Sequence, residues 1–515
     1  MQTLLAYTTE TDHQSCHFEQ LLPIGLCSLH AVLRSRGYPV TLANLSGVPN
    51  HEISRLLQRL QPHVVGLSQW THNRHTTIAL ARLIKQQLPQ SLVILGGGHA
   101  THQAELILRH HPEVDLVVTG EAEETLPELL DTIAGGENLN AVAGLVLRHT
   151  GTVQPTAPRT PVLHLDELPF PAHYLDEMLY GDRQLQAEFI TSSRGCPASC
   201  RFCASPTFWG RRVRFRTAAS VAAEIRYLRD TYGLIYLSLR DDTFTADPQR
   251  TRALCQEMQE QRIKLFWNCQ SRVEAIDRET LDLMRQAGCE CVQLGVESGS
   301  PRILKLLGKS SNLEQIIRAS VLVRQAGLQL SIFLITGIPA EDEMDRQMTR
   351  KLVEQIRPDD LQVAPLAYYP GTELFRQGLQ SGAIQADLFE TSQSKAVLAQ
   401  PDGPHQVDRL LAQTSRFKRR VTPSALRRLI QQSGYSAVTA MQLGDALSAA
   451  GDPTAAATAY RSITTREPDH PWGWYLLAEL YEQQGALFQA IDCYRQVLTL
   501  VPQHLPSREA LQRLH

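Results

Sequence analysis

The chain has no apolar run approaching the ~18 residues that a membrane-spanning helix needs. A transmembrane class is excluded on that ground. Its start, MQTLLAYTTETDH, lacks the basic end and cleavage site of a signal peptide. The expectation is therefore a soluble, cytoplasmic protein with no membrane span. A surplus of positive charge is missing as well: 50 Lys and Arg stand against 53 Asp and Glu, a net charge of −3. That balance argues against general nucleic-acid binding. Compositional bias is absent too, with 43% hydrophobic and 20% charged residues, which rules out disorder, collagen and coiled coil for the bulk of the chain. Ten cysteines in a long chain without an export signal read as thiols or metal ligands rather than a disulfide frame. At ~150 residues per domain, this length predicts two to four domains.

In residues 1–150, short apolar runs alternate with segments of helical period. The runs are Thr3–Tyr7, Pro39–Ala43, Val64–Ser68, Leu92–Leu95, Leu116–Thr119 and Gly144–Leu147. Between them lie helices expected at Gly25–Arg36, Ile53–Leu60, Thr76–Leu88 and Glu123–Ala134. Such alternation predicts an open, mostly parallel sheet covered on both faces, with ligands beyond the carboxyl ends of its strands. The loops there read Ser68-Gln69-Trp70-Thr71, Gly96-Gly97-Gly98-His99-Ala100 and Gly120-Glu121-Ala122-Glu123. Three successive glycines either let the backbone approach a large flat or anionic ligand or simply make a tight turn.

Pro23-Ile24-Gly25-Leu26 opening a helix, Gly37-Tyr38-Pro39-Val40, and the Gly-Gly-Gly-His and Gly-Glu-Ala-Glu loops together resemble the cobalamin-binding domain at the front of many radical enzymes. The resemblance implies a cobalamin site that includes Ser68, Gly97, Gly98, His99, Gly120, Glu121 and Glu123. The mutase-type version of that domain carries Asp-x-His-x-x-Gly, whose His ligates cobalt. Here the corresponding loop is Thr11-Asp12-His13-Gln14-Ser15-Cys16-His17 and does not fit. His13 and His17 thus read as exposed loop histidines sooner than as cobalt ligands. The radical subfamily generally lacks this His, so the departure agrees with that resemblance.

Residues 190–206 read Ile-Thr-Ser-Ser-Arg-Gly-Cys-Pro-Ala-Ser-Cys-Arg-Phe-Cys-Ala-Ser-Pro. Cys196, Cys200 and Cys203 form Cys-x3-Cys-x2-Cys after the strand-like run Ala187–Thr191. Three thiolates on a loop shaped by Gly and Pro suit one metal cluster, and three ligands on a four-iron cubane leave one iron open to a chelator. A structural zinc site would want a fourth ligand, and Cys255, Cys269, Cys289 and Cys291 follow a different pattern. The spacing, with Phe202 just before the last cysteine, resembles the radical S-adenosylmethionine (SAM) superfamily. The resemblance implies a [4Fe-4S] cluster on the three cysteines and SAM chelating the open iron.

Downstream, strand-like runs at Ile235–Leu239, Leu265–Asn268, Cys291–Gly295, Leu330–Ile335 and Leu361–Ala364 alternate with helices, as in a partial (β/α)6 barrel. Each run ends in polar residues. In the family the matching positions grip SAM: Asp241 and Asp242 would meet its ammonium, Arg272 its carboxylate, and Glu297 with Ser298 its ribose or polar head. Asp241 reads equally as a helix cap; for Arg272, beside two ligand loops, binding outweighs a surface ion pair, and Gly299 reads as a turn residue. Tyr368-Tyr369-Pro370-Gly371-Thr372-Glu373-Leu374 matches the family's closing segment, with the two tyrosines read as wall.

Residues 381–435 show no clear period and read as a linker or helical extension. They carry Arg409, Arg416, Lys418, Arg419, Arg420, Arg427 and Arg428, read as a solvated face. Beyond residue 435, Leu443, Gly451, Tyr460 and Pro468 recur 34 residues later as Leu477, Gly485, Tyr494 and Pro502. That is the tetratricopeptide period. Two repeats are fewer than the ~3 a solenoid needs, so the tail packs on the barrel, pairs with another chain or includes a degenerate repeat.

The expected architecture is α/β: a doubly wound, flavodoxin- or Rossmann-like parallel sheet domain over 1–150, a linker over 151–184, a partial (β/α)6 barrel over 185–380, an extension over 381–435 and all-α tetratricopeptide helices over 436–515. The resemblance implies an enzyme using a [4Fe-4S] cluster, SAM and cobalamin, and methylating an unactivated carbon or a phosphinate of a small-molecule substrate through a 5′-deoxyadenosyl radical and methylcobalamin. The alternative on the same scaffold is ring closure of the anaerobic porphyrin-cyclase type. A transfer-RNA methylthiotransferase would bring three more front-domain cysteines, where this chain has Cys16 and Cys27, and a basic β-barrel tail. A non-catalytic scaffold would not account for the cysteine loop. Expected partners are a one-electron donor such as flavodoxin or ferredoxin and a protein recruited by the tail.

Overall fold

A computed structural model describes residues 1–11, 21–149, 151–419 and 421–514. His13, Cys16, His17 and Arg420 lie outside the described residues. The chain forms two compact units: Met1–Gln186, Arg194–Arg214 and Ala367–Ala399 make the first, and Ala187–Ser193, Phe215–Leu366 and Gln400–His515 the second.

The first unit is a seven-stranded sheet in the order β2-β1-β3-β4-β5-β6-β7. The strands are β1 (Thr3–Tyr7), β2 (Val40–Asn44), β3 (Val64–Ser68), β4 (Leu92–Gly96), β5 (Leu116–Val118), β6 (Leu145–His149) and β7 (Thr152–Pro155). Helices α1 (Ile24–Ser35), α2 (Asn50–Leu60), α3 (Arg74–Gln87), α4 (Gly98–His110) and α5 (Thr125–Gly135) connect the first six. β1 to β5 pair in parallel, while β6 and β7 add an antiparallel edge. Runs such as TLLAY and VVGLS are buried throughout, as strands covered on both faces must be. The pleat then divides the labour. Leu4, Ala6, Val65, Leu67, Val93, Leu95 and Val117 enter one core with Ile53, Leu57, Ile84 and Ile107 from α2, α3 and α4. Leu5, Gly66, Ile94 and Val118, the alternate residues, line a cavity with α1.

Two stretches expected elsewhere pack with this unit. The span 151–184 supplies β7 and a bridge from Leu179 to Ala43. Residues 381–399 are strapped down by the buried Arg74, which donates to the carbonyls of Phe389, Ser392, Ser394 and Lys395 at 2.7–3.0 Å. Its hydrogen bonds, with a further one to the Thr71 carbonyl at 2.8 Å, all go to backbone oxygens.

The second unit contains six parallel strands paired in chain order: β8 (Phe189–Ile190), β9 (Tyr236–Leu239), β10 (Phe266–Ser271), β11 (Cys289–Glu297), β12 (Gln329–Thr336) and β13 (Asp360–Pro365). Helices α6 (Ala218–Tyr232), α7 (Pro248–Glu260), α8 (Arg278–Gln286), α9 (Leu313–Gln325) and α10 (Glu343–Ile356) cross between them. Within the span 185–380, residues 194–214 and 367–380 pack with the first unit. After α11 (Gly403–Thr414) and α12 (Pro423–Ser433) come α13 (Ala437–Ala449), α14 (Pro453–Arg466), α15 (Pro471–Gln483), α16 (Leu487–Leu500) and α17 (Leu505–Leu514).

The repeat helices pack on the barrel. Phe266 shares a core with Ala437, Val438, Met441 and Ile463, and the Trp472 indole donates to the Ile235 carbonyl at 2.5 Å. The two repeats thus gain from the barrel the stacking surface that a third would have given. The basic residues before them pair with acids: Lys418 with Asp360 at 2.7 Å, Arg419 with Asp359 at 3.7 Å and Arg409 with Glu343 at 3.6 Å.

Candidate functional site

The cavity of the first unit holds about 1040 Å³ of atom-free space, its open mouth included. It runs from the carboxyl ends of β3, β4 and β5 under the start of α1, and apolar side chains dominate its wall. Ser68, Gly97, Gly120, Glu121 and Glu123 line it. Gly97 sits at φ +96°, and a Cβ there would lie 2.8 Å from the Gln69 carbonyl, so only glycine makes this turn. Gly98 and His99 are corrections: neither lines the cavity. Both enter the first turn of α4, where Gly98 packs against the Trp70 ring and His99 turns inward. His99 Nδ1 lies 3.1 Å from Thr71 Oγ1, its ring meets Phe389 edge-on, and burial beside Arg74 lowers its pKa to about 3. It is a neutral packing residue. The sequence reading missed Trp70, Phe208 and Trp209, which also line the cavity.

Glu121 and Glu123 face the cavity, but their oxygens are taken. Arg194 donates to Glu121 Oε2 at 2.9 Å and to Glu123 Oε1 at 2.6 Å. Arg214 grips Glu121 through both of its terminal nitrogens, one at 2.9 Å. Ser28 Oγ adds a 3.0 Å bond to Glu123, and Arg194 lies over the Trp209 ring. All four charged side chains are 4–12% exposed. Burial alone would raise the Glu123 carboxyl, yet Arg194 outweighs it and holds the group below the ordinary range. Arg194 and Arg214 bracket the cysteine loop, so the acids after β5 anchor both of its stems. This role was invisible in the Gly-Glu-Ala-Glu motif.

Between those stems, Cys196 is buried, while Cys200, Phe202 and Cys203 are half-buried. Gly195, at φ +100°, starts the loop where a Cβ would come 2.7 Å from the Arg212 carbonyl. Cys196 N donates to Gly210 O and Cys203 N to Cys200 O, both at 3.3 Å. Among the described residues, no three His, Cys, Asp or Glu side chains converge as ligands of a single ion would. A cubane takes each thiolate on a different iron, so its cysteines surround a volume instead of meeting at a point.

In the second unit, Asp241 is a correction. Its carboxylate accepts from Ser192 N at 2.6 Å, from Ser193 Oγ at 2.8 Å, from Ser193 N at 3.3 Å and from the Ser192 hydroxyl, and it is fully buried. It fastens the end of the first barrel strand and has no capacity left for an ammonium group. Arg250 assists by donating to Ser192 O while lying over Phe215 and Phe244. Asp242, next in the chain, is exposed. Ser298 is also a correction: it is buried, contacts the Thr349 hydroxyl and accepts from Ser300 N, tightening the turn into the next helix.

Arg272 and Glu297 do come together, at the carboxyl ends of β10 and β11. Arg272 donates to Ser310 Oγ at 2.9 Å and to Glu274 at 3.2 Å. Glu297 has φ +67°, a conformation that costs a non-glycine residue about 1–3 kcal/mol and clusters at functional sites. Burial raises its pKa despite Lys309 at 3.3 Å and the nearby charge of Arg272. Lys309, which also donates to Gly295 O at 2.7 Å, carried no sequence signal.

A radical-generating fold with a cobalamin-type front domain is the class these features define. Residues 190–353 match the Radical SAM superfamily, 18–130 the B12 binding domain and 441–504 a tetratricopeptide repeat. The chain thus joins a radical SAM domain to a B12-binding domain, in an enzyme whose cofactors are a [4Fe-4S] cluster, SAM and cobalamin. It is 29% identical to an uncharacterised methyltransferase of Pyrococcus horikoshii, over 70% of this chain and 79% of the relative. It is 27% identical to the cytidylyl-2-hydroxyethylphosphonate methyltransferase of Streptomyces wedmorensis, over 74% and 82%. An anaerobic magnesium-protoporphyrin IX monomethyl ester cyclase of Synechocystis is 28% identical over 80% and 84%. The structure of OxsB, a cobalamin-dependent SAM radical enzyme with aqua-cobalamin and SAM bound, superposes with a TM-score of 0.65. At 16% identity, covering 100% of this chain and 83% of that one, it shows the shared fold. No helix among the described residues is long and apolar enough to cross a membrane.

Proposed function

We propose that the chain is a cobalamin-dependent methyltransferase that uses a 5′-deoxyadenosyl radical to methylate an unactivated carbon, or a phosphinate, of a small molecule. The observation that carries this reading is the joining, within one compact unit, of a large apolar cavity and a three-cysteine loop held by buried ion pairs. The groups fit their residues. Three thiols on one loop are the donor set of a cubane with an open iron, and a cavity walled by Leu5, Leu29, Ile94 and Leu126 beneath a polar loop suits a large, mostly apolar cofactor. When bound, the cluster supplies the electron that cleaves SAM, and cobalamin carries the methyl group.

The residues then have distinct tasks. Cys196, Cys200 and Cys203 hold the cluster, flanked by Phe202. Arg272, through Ser310 and Glu274, and Glu297, through Lys309, present fixed charges to the zwitterionic end of SAM, with Asp242 as the remaining carboxylate for its ammonium. Ser68, Gly97 and Gly120 line the cobalamin cavity. Residues 1–150 serve the cobalamin, 185–380 the radical chemistry and 436–515 the recruitment of a protein, in a cytoplasmic enzyme supplied by a one-electron donor.

The test is anaerobic reconstitution with iron, sulfide and hydroxocobalamin, comparing wild type with a Cys196/Cys200/Cys203→Ala variant. The expected result is about four irons and one cobalt per chain, with iron alone lost in the variant. Wild type binding iron without cobalt would refute the reading. A second reading, oxidative ring closure, is favoured by the cyclase relative; it predicts that deuterated methyl groups of SAM never reach the product.

A further inference from the structure

We infer that the substrate is a water-soluble molecule dense in hydroxyl, amide or phosphoryl groups, gripped inside the barrel by Gln270, Gln293 and Ser331. The inference rests on the methyltransferase reading and adds the chemistry of what is methylated. Right-handed crossovers put the helices of the second unit on one face of its sheet. Leu294, Ile332 and Leu361, in register on β11, β12 and β13, are 0–5% exposed on that side. Side chains alternate along a strand. The adjacent row, Gln270, Gln293 and Ser331 on β10, β11 and β12, therefore faces the concave side. Both glutamines are half-buried there.

Two successive rungs of this face differ. In the lower one the polar groups satisfy one another. Ser238 donates to Asn268 at 2.7 Å, Asn268 to the Tyr236 hydroxyl at 2.6 Å, and that hydroxyl to Glu290 at 2.7 Å. In the rung above, the Ser331 hydroxyl is 3% exposed and has no hydrogen-bond partner among the described residues. Arg240 donates to Gln293 Oε1 at 3.4 Å, which turns the amide nitrogen of Gln293 to donate elsewhere. A buried hydroxyl without a partner is destabilising, and a ligand that supplies the partner removes the penalty. Nearer the mouth, half-buried Phe333 and Ile335 form an apolar collar along β12. A carbon awaiting methylation fits that collar while polar groups of the same molecule reach the rung beneath. An apolar polycycle in this lumen would strand two carboxamides and a hydroxyl, each at a cost of about 10-fold in affinity.

The test uses the full chain with cluster and cobalamin reconstituted, SAM and titanium(III) citrate. Release of 5′-deoxyadenosine is measured by mass spectrometry after adding either an aqueous small-molecule extract or a chloroform extract of cells that express the chain. The aqueous extract is expected to raise the release at least ~5-fold over buffer, and the chloroform extract to leave it unchanged. Ser331→Ala is expected to cut the aqueous response at least ~10-fold without lowering Tm, because the hydroxyl has no protein partner to lose. Gln270→Leu/Gln293→Leu, at wild-type iron and cobalt content, is expected to show the same loss; if that variant fails to load its cofactors, Ser331→Ala decides. Stimulation by the chloroform extract overturns the inference, as does a Ser331→Ala protein with a lowered Tm or an undiminished response. Stimulation by neither extract overturns instead the methyltransferase reading on which it rests.

Discussion

Glu121→Ala tests the claim that a buried ionic lattice, and not a ligand, claims the acids of the Gly-Glu-Ala-Glu loop. In the native chain Glu121 accepts from Arg194 and doubly from Arg214, with side-chain exposures of 4%, 12% and 6%. Removing the carboxylate leaves Arg214 buried with only the carbonyls of Val162 and Trp209, at 2.6 and 3.2 Å. Breaking one side of such a buried pair costs about 3–5 kcal/mol, because the stranded charge has lost its solvation and its partner. For a unit of this size, the loss corresponds to a fall in Tm of roughly 6–20 °C. Glu124→Ala removes the exposed partner of Arg36 and should cost no more than about 1 kcal/mol. Thermal melting of both variants without cofactors, followed by circular dichroism, compares them directly. Glu121→Ala/Arg214→Ala should recover much of the loss, since no charge is then stranded. Equal melting of Glu121→Ala and Glu124→Ala would refute the reasoning. Acid should act like the mutation at Glu123. Its carboxyl is held below its unfolded value, so the stability it lends is present above that value and disappears as pH falls through the folded one.

Glu290 gives the opposite pH response. Burial pushes its pKa up to about 7, while Tyr236 donates to it at 2.7 Å and itself accepts from Asn268. The folded chain keeps this proton where the unfolded chain has lost it, so stability falls by on the order of 3 kcal/mol as pH rises from about 4.5 to 7. Glu290→Gln should abolish that part of the slope in urea titrations at pH 5 and 7.5; an unaltered slope would count against it. Gly97→Ala should weaken cobalamin retention at least ~10-fold by displacing the Gln69 backbone, measured by equilibrium dialysis, because a side chain at φ +96° is strained as well as crowded. Asp241→Asn should lower Tm by several degrees through loss of its charge-assisted bonds, worth roughly 1.5–3 kcal/mol each. Asp242→Asn should leave Tm unchanged and weaken SAM binding; the reverse pattern would return Asp241 to the SAM site.

What was legible in the sequence was what lies close together along the chain. Cys196, Cys200 and Cys203 declare themselves by spacing alone, and the apolar runs of both sheets recur as strands with ends within three residues of those expected. What was not legible depends on distant partners. Glu121 and Glu123 meet arginines 71 to 93 positions away. Asp241 finds its donors 48 and 49 positions upstream. An Asp at a strand end has the same local signature whether it holds a ligand or a neighbouring strand. His99 shows the same limit. A histidine after three glycines looks poised for a ligand, yet the helix begins one residue earlier than the glycine run suggests, and the ring turns into the core.

The acids after β5 carry the more useful lesson about how the enzyme is built. Had Glu121 and Glu123 contacted a cofactor, the front domain would have been a binding module whose loss left the cysteine loop intact. Their pairing with Arg194 and Arg214 makes the loop's two stems depend on carboxylates from another part of the chain. A guanidinium in a site this dry has few alternatives, since water cannot replace the lost bonds without opening the wall formed by Trp209. The stems of the loop and the rim of the cavity are therefore held by the same four charges. A shift in the loop after β5, where the cavity opens, moves the anchors of the cysteines with it. Glu121 and Glu123 touch both the cavity and the loop's stems, so one charge-balanced cluster is the physical contact between the cavity rim and the cysteine loop.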